Sequence, residues 1–211
     1  MLSRLIDRIE REGPLSFDEF MRVALYDPVG GYFAAGPLRS MREGDFLTSP
    51  EVSPLFGETV ARFVAAEATR LGGSEVDLVE AGAGTGTLLR PLLDVLEHPV
   101  RVRAVEVSRA ARDALEERVP EATIVGALDR LPAGMRGVIV ANELLDNQPA
   151  ALAVREEGGW LERRVGIQEG SLSYVDGPAR PEVAAWADRF GAGVEPGGLV
   201  EVQLEAGTWV T

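Results

Sequence analysis

The stretch VDLVEAGAGTGTL, residues 76–88, constrains the fold more than any other in the chain. Apolar residues lead to Glu80, and glycine then recurs at every second position: Gly82, Gly84 and Gly86. The apolar run reads as a buried strand, and TLLRPLLDVLE (87–97) behind it as a helix. Glycine adopts strained backbone angles and lets a ligand approach the main chain closely. A strand, a glycine turn and a helix, in that order, are the setting for a nucleotide site.

The next fifty residues keep the alternation. VRVRAVEV (100–107), ATIVG (122–126) and GVIVAN (137–142) read as strands, and Ser108 caps a helix over RAARDALEERV. Strand–helix–strand at this spacing predicts a parallel sheet with right-handed crossovers. The texture then changes. AALAVREE (150–157), Gly158-Gly159 and WLERRVGI (160–167) predict a β-hairpin. SLSYV (171–175) adds a strand, PEVAAWADRF (181–190) a short helix and GLVEVQL (198–204) another strand. Three helical patterns come first. Leu2, Leu5, Ile6 and Ile9 stop at Gly13, Ser16 with Glu19 forms a capping-box pattern, and residues 54–71 carry Phe56, Val60, Phe63, Val64 and Leu71. A loop over residues 27–51 separates the second from the third, and a loop that long is usually functional or disordered. The division expected is a helical extension with a lid loop (1–73), a cofactor-binding core (74–149) and a hairpin with a helix–strand tail (150–211).

Composition removes several chemistries. The chain has no cysteine, and all 21 basic residues are arginine. Thiolate nucleophiles, cysteine-ligated zinc, Schiff bases and the lysine of a phosphate-binding P-loop are therefore excluded. His98 is the single histidine, set in a loop, and no metal site is expected. A net charge of −13 repels phosphate backbones, so no nucleic-acid partner is expected and a basic partner suits better. The same acidity serves solubility alone equally well. No apolar run is long enough to span a membrane, so no membrane insertion is expected. MLSRLIDRIERE has neither the apolar run of a secretory signal nor the acid-poor composition of a presequence, so cytoplasm is expected.

The dinucleotide fingerprint needs glycine at its first, third and sixth positions; here these are Gly82, Gly84 and Thr87. A pyrophosphate favours a helix N-terminus free of acids. Glu80 beside the loop favours a cationic or zwitterionic ligand instead, and S-adenosylmethionine carries a sulfonium and an ammonium. The plain alternative is a tight turn that binds nothing. Glu106 stands 20 residues past Gly86, where an acid accepts both ribose hydroxyls. Alone it would read as a solvated strand-end charge. Asn142, Glu143 and Asp146 cluster after the fourth strand, where open α/β sheets place ligands, and they read equally as a capped turn. Ala127 and Leu128 are placed to flank an adenine. EGDFLTSPE (43–51) gathers Asp45, Thr48, Ser49 and Glu51 and reads as a lid or simply as the approach to a helix.

YDPVGGYF (26–33), EGDFLTSPEVSPLFGE (43–58), EAGAGTGTLLRPLL (80–93) and ANELLDNQPAALAV (141–154) together resemble the MidA family of class I S-adenosylmethionine-dependent methyltransferases. Its mitochondrial members are complex I assembly factors that dimethylate an arginine. The resemblance implies an α/β, Rossmann-like sheet with an N-terminal helical extension and an inserted β-hairpin, shortened after its fourth core strand. It implies that Glu80, Gly82, Gly84 and Gly86 cradle the methionine end of S-adenosyl-L-methionine. Glu106 would hold the ribose, and Thr48, Ser49 and Pro50 would close over the cofactor. Asn142, Glu143 and Asp146 would face the acceptor, with Asp45 and Glu51 as outside candidates. It implies a protein substrate, with arginine favoured, and a subunit of a respiratory complex as the partner to consider. A non-catalytic, cofactor-binding assembly factor is the alternative. Ala83 replaces a frequent proline, and Leu144-Leu145 replace an aromatic pair. In the family, further elements follow a segment like VEVQLEAGTWVT. Without them the fourth strand is left with an apolar edge, covered by the tail strand or by a second copy in a homodimer, or left bare at the cost of stability.

Overall fold

The computed structural model describes residues 1–33, 48–72 and 75–205. In chain order, helix α1 (Leu2–Glu12), strand β1 (Leu15–Ser16) and helix α2 (Phe17–Tyr26) come first. Helices α3 (Ser49–Val52) and α4 (Leu55–Leu71) come next. The alternating region gives β2 (Val76–Ala81), α5 (Leu89–Val95), β3 (Val100–Val105), α6 (Arg109–Arg118), β4 (Thr123–Val125) and β5 (Gly137–Val140). Then come β6 (Ala151–Glu156), β7 (Gly159–Gln168), β8 (Ser171–Pro178), α7 (Pro181–Phe190) and β9 (Leu199–Val202). Among the described residues no helix is long and apolar enough to cross a membrane.

The chain forms two compact units. One joins the two ends of the chain, Met1–Gly31 with Asn147–Thr211; the other is Tyr32–Asp146. The helical extension expected over 1–73 is thus divided: α1 and α2 belong with the later antiparallel strands, and α3 and α4 with the parallel sheet. The reason lies in the side chains. Leu5 and Ile9 of α1 have their apolar partners in Leu15 and Val165, with Phe17 and Phe20 beside them.

In the first unit β1, β7, β6 and β9 lie in that order, and β8 also pairs with β7, all antiparallel. The hairpin expected over 150–167 is therefore part of a five-stranded sheet. Val183 and Ala187 of α7 pack on Ala151, Ala153 and Val202 to fill its core. The tail strand β9 pairs with β6, so it does not supply the expected cover for the fourth core strand.

The second unit carries a parallel sheet in the order β4-β3-β2-β5. Every residue of β2 is buried, as a central strand of a parallel sheet demands. Leu78 of β2, Leu89 and Leu92 of α5, Leu115 of α6 and Val119 just after it centre the core. After β2 the chain winds one way through β3 and β4, then returns to β5 on the other side of β2. That reversal is a topological switch point, and open α/β sheets take ligands beside the C-terminal ends of the strands at such a point. β3, β4 and β5 are shorter than their sequence patterns, whereas β2 has the expected length. β4 has only three residues, because pairing ends where its neighbour β3 does. Helix α5 likewise begins at Leu89, since residues 82–88 are spent on the glycine turn.

Candidate functional site

The glycine turn leaves β2 in a conformation other residues resist. Gly82, Gly84 and Gly86 have φ of 73°, 53° and 77°, all in the left-handed region. Three left-handed residues in so short a span fold the chain tightly between strand and helix. The main chain is pinned to β3, because the N–H groups of Gly82 and Ala83 both donate to the Val105 carbonyl, at 2.8 and 3.1 Å.

The three glycines face different surroundings. A Cβ on Gly86 would lie 2.7 Å from Leu115 Cδ1 and 3.1 Å from Val119 Cγ2, so this glycine exists for packing against α6. Among the described residues, a Cβ on Gly84 would meet nothing within 4 Å. A Cβ on Gly82 would lie 2.9 Å from Leu144 Cδ1. Among the described residues the space beside the loop is thus open at Gly84 and taken up by a leucine at Gly82.

Glu106 follows β3, is 8% exposed, and points into the loop. Its Oε2 accepts the Gly84 N–H at 2.8 Å and its Oε1 accepts the Ser108 N–H at 2.7 Å. Each carboxylate oxygen has two lone-pair sites, so both oxygens keep capacity for a further donor such as a hydroxyl. Arg112 of α6 reaches back to the same place, donating from Nη1 to the carbonyls of Glu106 and Val107 at 2.7 and 2.8 Å. Arg118 donates to the buried Thr85 hydroxyl at 3.4 Å. Neither arginine stands out in the sequence. Arg112 follows Ser108 by one helical turn, which is the only local sign of its role.

Glu80 has a different environment. It is 4% exposed, and its Oε2 has no hydrogen-bond partner among the described residues. Burial, and secondarily the charge of Glu106, push its carboxyl up to about 8. Asp77, three residues earlier on the same strand, shows the contrary case. It accepts from Arg101 at 3.1 and 3.2 Å and from the Arg136 N–H at 3.1 Å, and it pairs with Arg103 at 3.2 Å. The Arg101 hydrogen bond leads the effects that hold its carboxyl below the usual range. Asp77 has its cations within the protein; the described residues supply none to Glu80.

After β5, Glu143 has φ 51°, a left-handed angle uncommon in a residue with a Cβ. Asn142 Nδ2 donates to Glu143 Oε1 at 3.4 Å, and both Glu143 and Asp146 are exposed. The contact of Leu144 with Gly82 brings this turn to the glycine loop. The structure thus assembles Glu80, Gly82, Gly84, Gly86, Glu106 and the 142–146 turn at one end of the sheet. Thr48, Ser49 and Pro50 lie at the start of α3, where Glu51 Oε2 accepts the Thr48 N–H at 2.8 Å and its hydroxyl at 3.1 Å. These bonds are local, and none of the described ones joins Thr48, Ser49 or Pro50 to the glycine loop. Asp45 lies outside the described residues.

Comparison with known proteins gives the family to which the chain is similar. A family model described as "Putative S-adenosyl-L-methionine-dependent methyltransferase" matches residues 59–211. The curated relative "Protein arginine methyltransferase NDUFAF7, mitochondrial" of Xenopus tropicalis is 30% identical over 237 residues, covering 96% of this chain and 54% of its own length. The Drosophila melanogaster homologue is 31% identical over 211 residues, covering 83% of this chain and 48% of its own. A crystal structure from Burkholderia thailandensis, bound to S-adenosyl-homocysteine, superposes with a TM-score of 0.81 at 32% identity. It covers 99% of this chain and 57% of that one. The chain therefore spans about half the length of the curated relatives it matches. These relatives are named as mitochondrial proteins, which overturns the expectation of a cytoplasmic location.

Proposed function

Because the chain belongs to this family of S-adenosyl-L-methionine-dependent methyltransferases, we propose that it binds S-adenosyl-L-methionine at the C-terminal end of β2 and takes part in methylating a protein side chain, arginine favoured. The observation that carries the proposal is the buried Oε2 of Glu80, without a partner among the described residues, beside a left-handed glycine turn that these residues leave open at Gly84. A site of that kind fits a ligand with a cationic end and a need for close main-chain approach.

Bound there, S-adenosyl-L-methionine would supply an electrophilic methyl group on a sulfonium. The chain's own residues divide the remaining tasks. Glu80, with Gly82 and Gly84, receives the methionine end, while Gly86, expected to join them, packs the turn against α6 instead. Glu106 accepts from the ribose while its bond to Gly84 holds the loop in shape. Thr48, Ser49 and Pro50 close over the cofactor. Asn142, Glu143 and Asp146 are the groups for the acceptor. A guanidinium is a weak nucleophile near neutral pH, because it is always protonated there. A carboxylate can pair with its fork, orient one nitrogen and take its proton. Catalysis then rests on positioning and on that proton transfer.

The test is transfer of a tritiated methyl group from S-adenosyl-L-methionine into mitochondrial protein extracts, with the labelled residue identified after hydrolysis. Label in methylarginine supports the proposal. Glu143→Gln is expected to lower turnover by about 10²-fold or more with cofactor affinity nearly unchanged, as loss of a general base does. Equal loss of both would place Glu143 in the cofactor site. Cofactor binding without any transfer would favour the non-catalytic assembly factor.

A further inference from the structure

We infer that the methionine end of the cofactor enters this site in exchange for a proton, which leaves Glu80 as the cofactor's ammonium arrives. The inference rests on the proposed cofactor reading and deepens it. Its footing is geometric. Glu80 is buried in the central strand, opposite Ala104 of β3 and Val140 of β5 in the sheet register. Among the described residues no cation pairs with it. On the β3 side the charged neighbour is Glu106, another acid, whose oxygens already accept from Gly84 and Ser108. From α6, Arg112 is engaged with the Glu106 and Val107 carbonyls and Arg118 with Thr85. From α5, Arg90 pairs with Asp94 and Glu121. Beyond β5, Asn142 donates to Glu143, which is itself an acid. A buried carboxyl with an acid beside it and no cation holds its proton.

The carboxyl, lying at about 8, is about nine-tenths protonated at pH 7. An ammonium brought within pairing distance favours the ionised form, so the O–H bond breaks, the ion pair forms and the proton passes to the buffer. Cofactor affinity should then rise as pH rises toward about 8, and fall above it as the free cofactor's own ammonium loses its proton. Substrate and demethylated product both carry the ammonium, so both should release the proton. A nucleoside thioether without an amino-acid end should not.

The experiment is titration calorimetry of the whole chain at pH 7 in buffers of different ionisation enthalpy. The slope of observed heat against that enthalpy counts protons released. S-adenosylmethionine and S-adenosylhomocysteine are each expected to release the larger part of one proton at pH 7, where their ammonium is already formed in solution. Methylthioadenosine is expected to release none, a comparison that needs no variant and so does not depend on a mutant folding. Glu80→Gln should bind with no proton release. Binding of S-adenosylmethionine with a slope of zero, or an equal slope for methylthioadenosine, overturns the inference and leaves the cofactor reading standing. Absence of any binding overturns both.

Discussion

At the scale of single residues, two glycines that look alike in the sequence have separable roles. Gly86 is packed against Leu115 and Val119, while Gly84 borders open space with its N–H held by Glu106. Gly86→Ala adds a collision to a left-handed backbone angle, and about 2–4 kcal/mol of stability should be lost. Gly84→Ala meets the backbone cost alone, about 1–2 kcal/mol, but puts a methyl group where the cofactor is to lie. Urea unfolding and cofactor titration on both variants check this. The expected outcome is that Gly86→Ala loses more stability and Gly84→Ala loses more affinity. The spacing of the glycines and of Glu106 was legible in the sequence because both are local signals. Which glycine serves packing and which faces the ligand was not legible. That depends on Leu115 and Val119, which are brought to the loop by the crossover rather than by neighbourhood in the chain.

At the scale of elements, β2 carries the site's electrostatics. Its two buried acids titrate in opposite senses. Asp77, held low chiefly by the Arg101 hydrogen bond, contributes stability that is present above about pH 4 and lost as pH falls below that. Glu80 is raised, so its sign is reversed. Between about 4.5 and 8 the folded chain binds more protons than the unfolded one, and stability falls as pH rises through that window. In the ligand-free chain Glu80→Gln should therefore remove a decline on the order of a few kcal/mol between pH 5 and 8. Unfolding free energies measured across that range check it; parallel curves for the two proteins would contradict it. The parallel pattern of β2, β3, β4 and β5 followed from alternation and strand spacing. The partner of β9 did not. GLVEVQL alternates apolar and polar residues in a way that suits either sheet, and the packing of Val202, with Val200 and Leu204, against Ala151, Ala153 and α7 assigns it to β6. The link from the 142–146 turn to the glycine loop was hidden for the same reason. It runs through Leu144, a residue with no chemical signature.

At the scale of the molecule, β5 pairs only with β2 among the described residues, and its Ile139 is 61% exposed. An unpaired strand with an apolar side chain is a template for another strand. Self-association of this chain is therefore predicted at micromolar concentration, and Ile139→Lys should lower it by placing a charge on that edge. Sedimentation velocity on the two proteins checks this; a wild-type chain that stays monomeric would contradict it. The joining of the two chain ends into one unit was likewise absent from the sequence pattern, since α1 finds Val165 across most of the chain. The central claim is that the loop between β2 and α5 holds S-adenosyl-L-methionine. Equilibrium dialysis of the radiolabelled cofactor against the wild-type chain and Gly84→Val tests it most directly. Saturable binding of one equivalent to the wild type is predicted, lost in Gly84→Val while that variant remains folded. No saturable binding to the wild type, or equal binding to both, would contradict it.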